Sequence, residues 1–210
     1  MKTPRKSLYL FGVLLVAVTA LTFYQMMSVN RKPDQEALLS AGIVLLPQSR
    51  EIPPLALINQ DGQQITVNEM RGRWTLVFFG YTFCPDICPA TLAELRKLDS
   101  QLSARDRQQM RVVMVSVDPK RDTPEQLKKY LAFFSPEFIG LTGDPANIQT
   151  LSNTLGIPFI PGDTRTENYT VDHSGNLALI GPDGTLRGFI RAPLNVAKLT
   201  EELPRLLLSR

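Results

Sequence analysis

The two cysteines of the chain, Cys84 and Cys88, stand four residues apart. On a helical or turn-like segment this spacing brings both thiols to one side, where they can form a disulfide or converge on one ion. Two thiolates are soft ligands that suit Cu(I), with zinc as the familiar competitor. The alternative is a pair of inert core cysteines. Pro85, Asp86 and Pro89 make the segment a polar-flanked loop, which favours a chemical role.

The cysteines are predicted to lie at the junction of a buried strand and a helix. Trp74–Gly80 is a continuous apolar run of strand length, and leucines recur at helical spacing from Leu92 to Leu102. The carboxyl end of a central strand is where α/β folds place their chemistry. The helix N-terminus is expected to stabilise thiolate and lower the thiol pKa. A disulfide closing so short a loop would stabilise the fold little, so a chemical role is favoured over a structural one.

The single histidine, His173, lies in the polar segment 169–175, just before a strand predicted over Leu177–Ile180. A lone histidine is more often a surface or satisfied core residue than a ligand. Two thiolates nevertheless leave a metal undercoordinated, and an imidazole nitrogen is the natural third donor. Asp86 and Asp172 are candidates to orient the imidazole or tune the charge of the site. The alternative is that both are ordinary solvated turn carboxylates.

Strands alternate with helices from about residue 51 onward, which predicts an α/β domain. The loop 118–124 after the second strand is interpreted mainly as a helix cap. The further predicted elements are a buried strand over Arg111–Val117, a capping box at Thr123–Gln126, a helix from Asp144 to a stop at Gly156, a hairpin around Gly181–Gly184, and a last helix from Val196 with a kink at Pro204.

The N-terminus predicts a membrane anchor. Basic residues at positions 2, 5 and 6 precede an almost uncharged apolar run over residues 8–27, and a helix needs about 20 apolar residues to cross a bilayer. The positive charges favour a cytoplasmic N-terminus and export of the rest. A cleaved signal peptide, cut after Ala20, is the alternative, but apolar character continues past that point.

These features divide the chain into residues 1–7 as a cytoplasmic basic segment, 8–27 as a transmembrane anchor, 28–50 as a tether with a short helix near Gln35–Ala41, and 51–210 as the folded domain. The expected location is the inner membrane of a bacterium, single-pass, with the domain on the periplasmic side.

Charge and composition exclude one class of function. The formal net charge is +3, and removing the three positive charges of the first six residues leaves about zero. A nucleic-acid-binding domain usually carries a basic excess, so that class is set aside. Apolar residues make up 43% of the chain, enough for a sizeable core.

Five segments taken together resemble the Sco/SenC family over about residues 51–207, and the predicted anchor also fits. The segments are Tyr81–Pro89, Ser116–Pro119, Arg121–Glu125, Leu141–Gly143 and Val171–Ser174. The resemblance implies a thioredoxin-like fold, a mixed sheet flanked by helices, with a copper site built from Cys84, Cys88 and His173. It also implies delivery of Cu(I) or Cu(II) to, or thiol reduction of, the dinuclear copper centre of cytochrome c oxidase. The implied partners are the copper-accepting oxidase subunit and another copper carrier.

Two other functions stay open. A thiol-disulfide oxidoreductase would use Cys84 and Cys88 as a redox pair, although its usual spacing is Cys-x-x-Cys. A peroxidase would need an arginine-rich oxidant pocket that the sequence does not locate. The proline-rich stretch 156–162 departs from many relatives of the family and affects the loop that carries His173, but not the set of ligands.

Overall fold

The structure is a computed structural model that describes residues 4–29, 34–166 and 168–208, and it describes side chains throughout these ranges except at residues 4–10, 24–29 and 68. Within this part of the chain, eight strands form one sheet in the order β1-β8-β7-β4-β5-β6-β2-β3. The strands are β1 (Ile43–Arg50), β2 (Ala56–Asn59), β3 (Gln64–Thr66), β4 (Trp74–Gly80), β5 (Met110–Ser116), β6 (Ile139–Thr142), β7 (Leu177–Ile180) and β8 (Leu186–Ile190).

The sheet is mixed, and its centre is buried. Strands β4, β5 and β6 run parallel, whereas β7 pairs antiparallel with both β4 and β8. All seven residues of β4 are buried, as the continuous apolar run predicts for a strand covered on both faces. Because parallel strands end at the same sheet edge, the loops after β4 and β5 meet there.

Seven helices and one 3₁₀ turn (Val67–Met70) accompany the described strands. Helix α3 packs against α7, and α5 packs against β6, so the sheet is flanked by helices as the resemblance implies. The helices are α1 (Pro4–Val29), α2 (Gln35–Ser40), α3 (Ile87–Gln101), α4 (Ala104–Gln109), α5 (Pro124–Ala132), α6 (Pro145–Thr154) and α7 (Val196–Leu207).

The predicted helix boundaries near the site are confirmed by their caps. The Thr123 hydroxyl accepts the Gln126 N–H at 3.2 Å at the start of α5, and Asp144 accepts the Ala146 N–H at 2.8 Å at the start of α6. Gly156 follows α6 with a φ of +65°, a left-handed conformation that favours glycine after a helix end. The β7–β8 hairpin is also confirmed.

The predicted tether differs from the structure in its second half. Residues 43–50 form β1, an edge strand that pairs with β8, and Leu38, Ala41 and Ile43 are buried in the core. Pro47 is compatible with this assignment because an edge strand tolerates a residue without an N–H donor. The folded domain therefore begins at α2, ahead of the boundary predicted near residue 51. The short helix predicted near Gln35–Ala41 is confirmed as α2.

Helix α1 includes most of the apolar N-terminal run. Its described side chains, at residues 11–23, are exposed. No helix in the described part of the chain is both long enough and apolar enough to cross a membrane. Residues 1–3 and 30–33, which fall in the predicted basic segment and tether, lie outside the described residues. The anchor predicted over residues 8–27 stays a prediction.

Candidate metal centre

The cysteines follow the buried end of β4 directly. Cys84 lies in a turn in which its N–H donates to the Tyr81 carbonyl at 3.2 Å, and Cys88 lies in the first turn of α3. Cys84 is 9% exposed and Cys88 is fully buried. The strand-to-helix junction predicted from the sequence therefore carries both thiols, one at the surface of the core and one within it.

Gly80, the last residue of β4, makes room for the Cys88 sulfur. A Cβ atom at this position would lie 2.8 Å from the Cys88 Sγ and 2.6 Å from the Phe78 ring. Contacts this short do not occur in real structures, so a side chain here would displace the sulfur or the ring. Glycine at this position allows the helix to bring Cys88 against the end of the strand.

Each sulfur accepts a backbone N–H. Tyr81 donates to the Cys88 Sγ and Cys88 donates to the Cys84 Sγ, both at 3.4 Å. Such donors stabilise a thiolate, but burial raises the pKa of the Cys88 thiol by more than the Tyr81 N–H lowers it. The predicted lowering by the helix N-terminus is therefore wrong for Cys88, because desolvation of the buried charge dominates. Cys88 is a thiol at neutral pH.

His173 presents an unprotonated nitrogen to the sulfurs. Its Nδ1 lies 2.8 Å from the Val171 carbonyl oxygen. A carbonyl oxygen only accepts, so Nδ1 carries the proton and Nε2 of the neutral ring keeps its lone pair. Burial lowers the pKa of His173, against the opposing effects of the Val171 hydrogen bond and the Asp172 charge, and so favours this neutral form.

The three side chains converge. The His173 Nε2 lies 3.0 Å from the Cys88 Sγ and 3.9 Å from the Cys84 Sγ, and the three donor atoms lie within 4.8 Å of one another. Two sulfurs and one imidazole nitrogen at this separation can bind a single soft or borderline metal ion, such as copper or zinc. Both cysteines are free, so the disulfide predicted between them stays a prediction.

The two aspartates predicted to orient the imidazole lie at the surface, whereas the two cysteines are buried. Both Asp86 and Asp172 are exposed, and none of the described hydrogen bonds joins either carboxylate to His173. The group that orients the imidazole is the Val171 carbonyl. The negative charge of Asp172 raises the pKa of His173, an effect smaller than the lowering by burial.

Tyr81 is a residue of the site that the sequence reasoning did not single out. Its ring meets the His173 ring edge-on, with centroids 5.3 Å apart, and it is 2% exposed. Its hydroxyl accepts the Val171 N–H at 3.3 Å. Tyr81 thus contacts both halves of the site, Cys88 through its backbone and the histidine loop through its side chain. Its position straight after a buried strand was a signal, but its partner Val171 is 90 residues away.

Asp122 belongs to the loop that the sequence predicts to be mainly a helix cap, and in the structure it also binds the start of the cysteine loop. It is fully buried and accepts the Thr82 N–H at 3.1 Å, the Thr82 hydroxyl at 2.7 Å and the Ser116 hydroxyl at 2.7 Å. Burial raises the pKa of this carboxyl group against these hydrogen bonds. The cluster joins the end of β5 to the segment between β4 and Cys84, so it fixes the base of the cysteine loop.

Comparison with known proteins agrees with this architecture. The SCO1/SenC family model matches residues 45–208. A protein of Stutzerimonas stutzeri, whose name describes it as a copper-binding protein, is 51% identical to this chain over 175 residues. The match covers 83% of this chain and 86% of that protein. Copper-bound ScoI of Bradyrhizobium japonicum is 33% identical with a TM-score of 0.66, covering 74% of this chain and 98% of that one. Copper-bound ScoI of Arabidopsis thaliana is 32% identical with a TM-score of 0.65, covering 73% and 96%.

Proposed function

Because the chain belongs to the SCO1/SenC family, we propose that it binds copper through Cys84, Cys88 and His173 and carries it as cargo to the dinuclear copper centre of cytochrome c oxidase. The observation that carries the proposal is the convergence of the three donor atoms within 4.8 Å, with the His173 Nε2 lone pair facing both sulfurs. The copper-bound structures of its relatives support the identity of the metal.

The protonation states of the site determine how copper is taken up. Binding as a thiolate requires Cys88 to lose its proton, whereas the His173 Nε2 is already unprotonated, so copper uptake releases the Cys88 proton to solvent. Thiolates suit Cu(I), and the imidazole also suits Cu(II). Cys84 is the more exposed thiol, which makes it the side from which an acceptor would replace the ligands one at a time.

Copper affinity of single-residue variants tests the ligand set. The full chain, reduced beforehand, is titrated with Cu(I) in competition with a chelator, and Cys84→Ser, Cys88→Ser and His173→Ala are compared with the wild type. We expect each variant to lose more than about 100-fold in affinity, beyond the loss typical of residues that only orient a ligand.

Met110→Leu is the matched control for that titration. It removes a buried sulfur from the start of β5, at the end of the strand that lies away from the metal centre. Its affinity is expected to equal that of the wild type. Unchanged binding in His173→Ala would contradict the three-ligand site, and no binding by the wild type would contradict the proposed function as a whole.

A thiol-disulfide oxidoreductase is the second candidate, and the two free, adjacent thiols favour it. In that reaction the Cys84 thiolate attacks a partner disulfide, and Cys88 then displaces the partner thiol. The pair ends as a disulfide, and the partner gains two electrons and two protons. The buried, protonated state of Cys88 disfavours rapid exchange. Reduction of a partner disulfide that is insensitive to His173→Ala would support this candidate.

We also propose that the domain works outside the cytoplasm, held by residues 8–27. The uncharged apolar run and the three positive charges before it support this proposal. The full chain is expected to stay with the membrane pellet after an alkaline wash, and its release into the supernatant would contradict the anchor.

A further inference from the structure

The loop that carries His173 has little regular structure to hold it in place. Between α6 and β7, the described residues 155–166 and 168–176 contain one isolated β-bridge, in which the Ile160 N–H donates to the Asp172 carbonyl at 2.9 Å. The β4–β7 ladder pairs Leu177 with Phe78 and so anchors the end of this loop, but His173 lies four residues before that pairing. None of the described ladders extends over those four residues, so side-chain contacts such as that of the Tyr81 hydroxyl contribute to the placement of His173.

Asp118, at the carboxyl end of β5, is one end of such a set of contacts. It is 3% exposed, accepts the Tyr169 hydroxyl at 2.5 Å, and forms an ion pair with Arg121. A buried carboxylate is stable only when its charge is compensated by such partners. Burial and the Asp118 carboxylate raise the pKa of Tyr169 to about 12, so the phenol remains a donor.

Arg121 joins the histidine loop to the cysteine loop. Its Nη2 donates to the Tyr169 carbonyl at 3.0 Å, and its guanidinium carbon lies 3.7 Å from the centroid of the Tyr169 ring. The same carbon lies 5.0 Å from the centroid of Phe83, the residue before Cys84. A planar guanidinium can pair with a carboxylate and stack on aromatic rings at once, which an ammonium group cannot do equally well.

The contact between Arg121 and Tyr169 is connected to His173 through the backbone of Val171. Val171, two positions after Tyr169, donates its N–H to the Tyr81 hydroxyl at 3.3 Å and accepts the His173 Nδ1–H at 2.8 Å. A shift of Tyr169 would move the carbonyl that orients the imidazole.

We propose that Arg121, oriented by Asp118, is a positioning residue that holds His173 at bonding distance from the cysteine pair. It acts as a clamp between Tyr169 of the histidine loop and Phe83 of the cysteine loop, and none of the described hydrogen bonds or ion pairs joins it to the three donor atoms. The inference rests on the proposed copper-binding function, and it adds a residue that acts only through His173.

A double-mutant cycle tests this role. Arg121→Met is made in the wild-type full chain and in the His173→Ala chain, and Cu(I) affinity is measured by chelator competition. With His173 present we expect a loss of about 10- to 100-fold, the range found for residues that orient a ligand. In the His173→Ala chain we expect a loss under about threefold, because no imidazole is left to position. Equal losses in the two backgrounds would overturn the proposal.

Two further variants separate positioning from general destabilisation. Arg187→Met is the matched control. It removes the ion pair between Arg187 and Asp183 in the β7–β8 hairpin, in which Nη2 lies 2.6 Å from Oδ2, and its copper affinity is expected to equal that of the wild type. Arg121→Lys keeps the charge beside Asp118 but not the planar fork, so we expect it to recover part of the affinity. If Arg121→Met does not fold, Arg121→Lys takes its place in the double-mutant cycle. Equal losses of copper affinity with and without His173 would again overturn the proposal.

A measurement without copper distinguishes the failure of this inference from the failure of the proposed function. Amide hydrogen exchange of the copper-free chain is expected to speed up in the described parts of the histidine loop in Arg121→Met, most of all at Val171, and not in Arg187→Met. Unchanged exchange at Val171 would overturn the clamp. If the wild-type chain binds no copper, the proposed function is refuted, but the hydrogen-exchange result still shows whether Arg121 holds the histidine loop.

Discussion

The two halves of the metal centre are held in place by different means. The cysteine half lies at the end of β4, a strand paired along its length with β5, and continues into the 15-residue helix α3. The histidine half lies in a loop that has one isolated bridge and leads into β7 at Leu177, and it is contacted by side chains of other elements: Tyr81, Asp118 and Arg121.

The difference indicates which changes each half can tolerate. In the cysteine half the backbone sets the positions of the sulfurs, so steric changes at the strand end should be most damaging. In the histidine half, hydrogen bonds of about 1 kcal/mol each set the position of the ring, so removing one should shift the ring without unfolding the domain.

The largest effect is expected from Gly80→Ala. The new methyl group would overlap the Phe78 ring and the Cys88 Sγ, so we expect a loss of about 1–3 kcal/mol in the free energy of unfolding together with weaker copper binding. Denaturant unfolding and Cu(I) competition measure the two quantities.

Gly140→Ala is the matched control for that change. Its Cβ would crowd Leu131 and Leu127, at 2.9 and 3.0 Å, in the α5–β6 contact rather than at the sulfurs. It should destabilise the fold without weakening copper binding by the folded chain. Equal effects of the two variants on copper affinity would contradict the role given to Gly80.

The next effect is a loss of stability at alkaline pH that depends on Cys88. Its pKa is raised in the folded state above the ordinary value of 9.0, so the unfolded chain loses this proton first. The contribution to stability is complete below about pH 9 and falls above it, by up to about 1.4 kcal/mol per pH unit. Denaturant unfolding of the copper-free chain should show a smaller alkaline decline in Cys88→Ala. Parallel declines in the two chains would show that this thiol is not the cause.

The smallest effect is expected from Tyr81→Phe, on the histidine side. It leaves the buried Val171 N–H without its acceptor, which should cost about 1 kcal/mol and weaken copper binding less than tenfold. Tyr130→Phe is the control, because its buried hydroxyl has no hydrogen-bond partner among the described residues, and its removal should be neutral or stabilising. If Tyr81→Phe behaves like Tyr130→Phe in both measurements, this hydrogen bond does not hold the loop.

Local patterns in the sequence predicted much of the fold. The buried strand Trp74–Gly80, the cap at Thr123 and the β7–β8 hairpin depend on neighbouring residues and were predicted correctly. Strand β1 was not, because an edge strand with polar residues and Pro47 looks like a tether until its partner β8, more than 130 residues away, is placed beside it.

The sequence by itself determined that Cys84 and Cys88 share one short segment at a strand-to-helix junction, since four-residue spacing and apolar periodicity are local properties. The tertiary structure decided that His173 faces them with its Nε2 unprotonated, that Cys88 is buried enough to keep its proton, and that Arg121 and Asp118 meet Tyr169. These features depend on distances between segments about 50 to 90 residues apart and on exclusion of water, and neither quantity exists until the chain has folded.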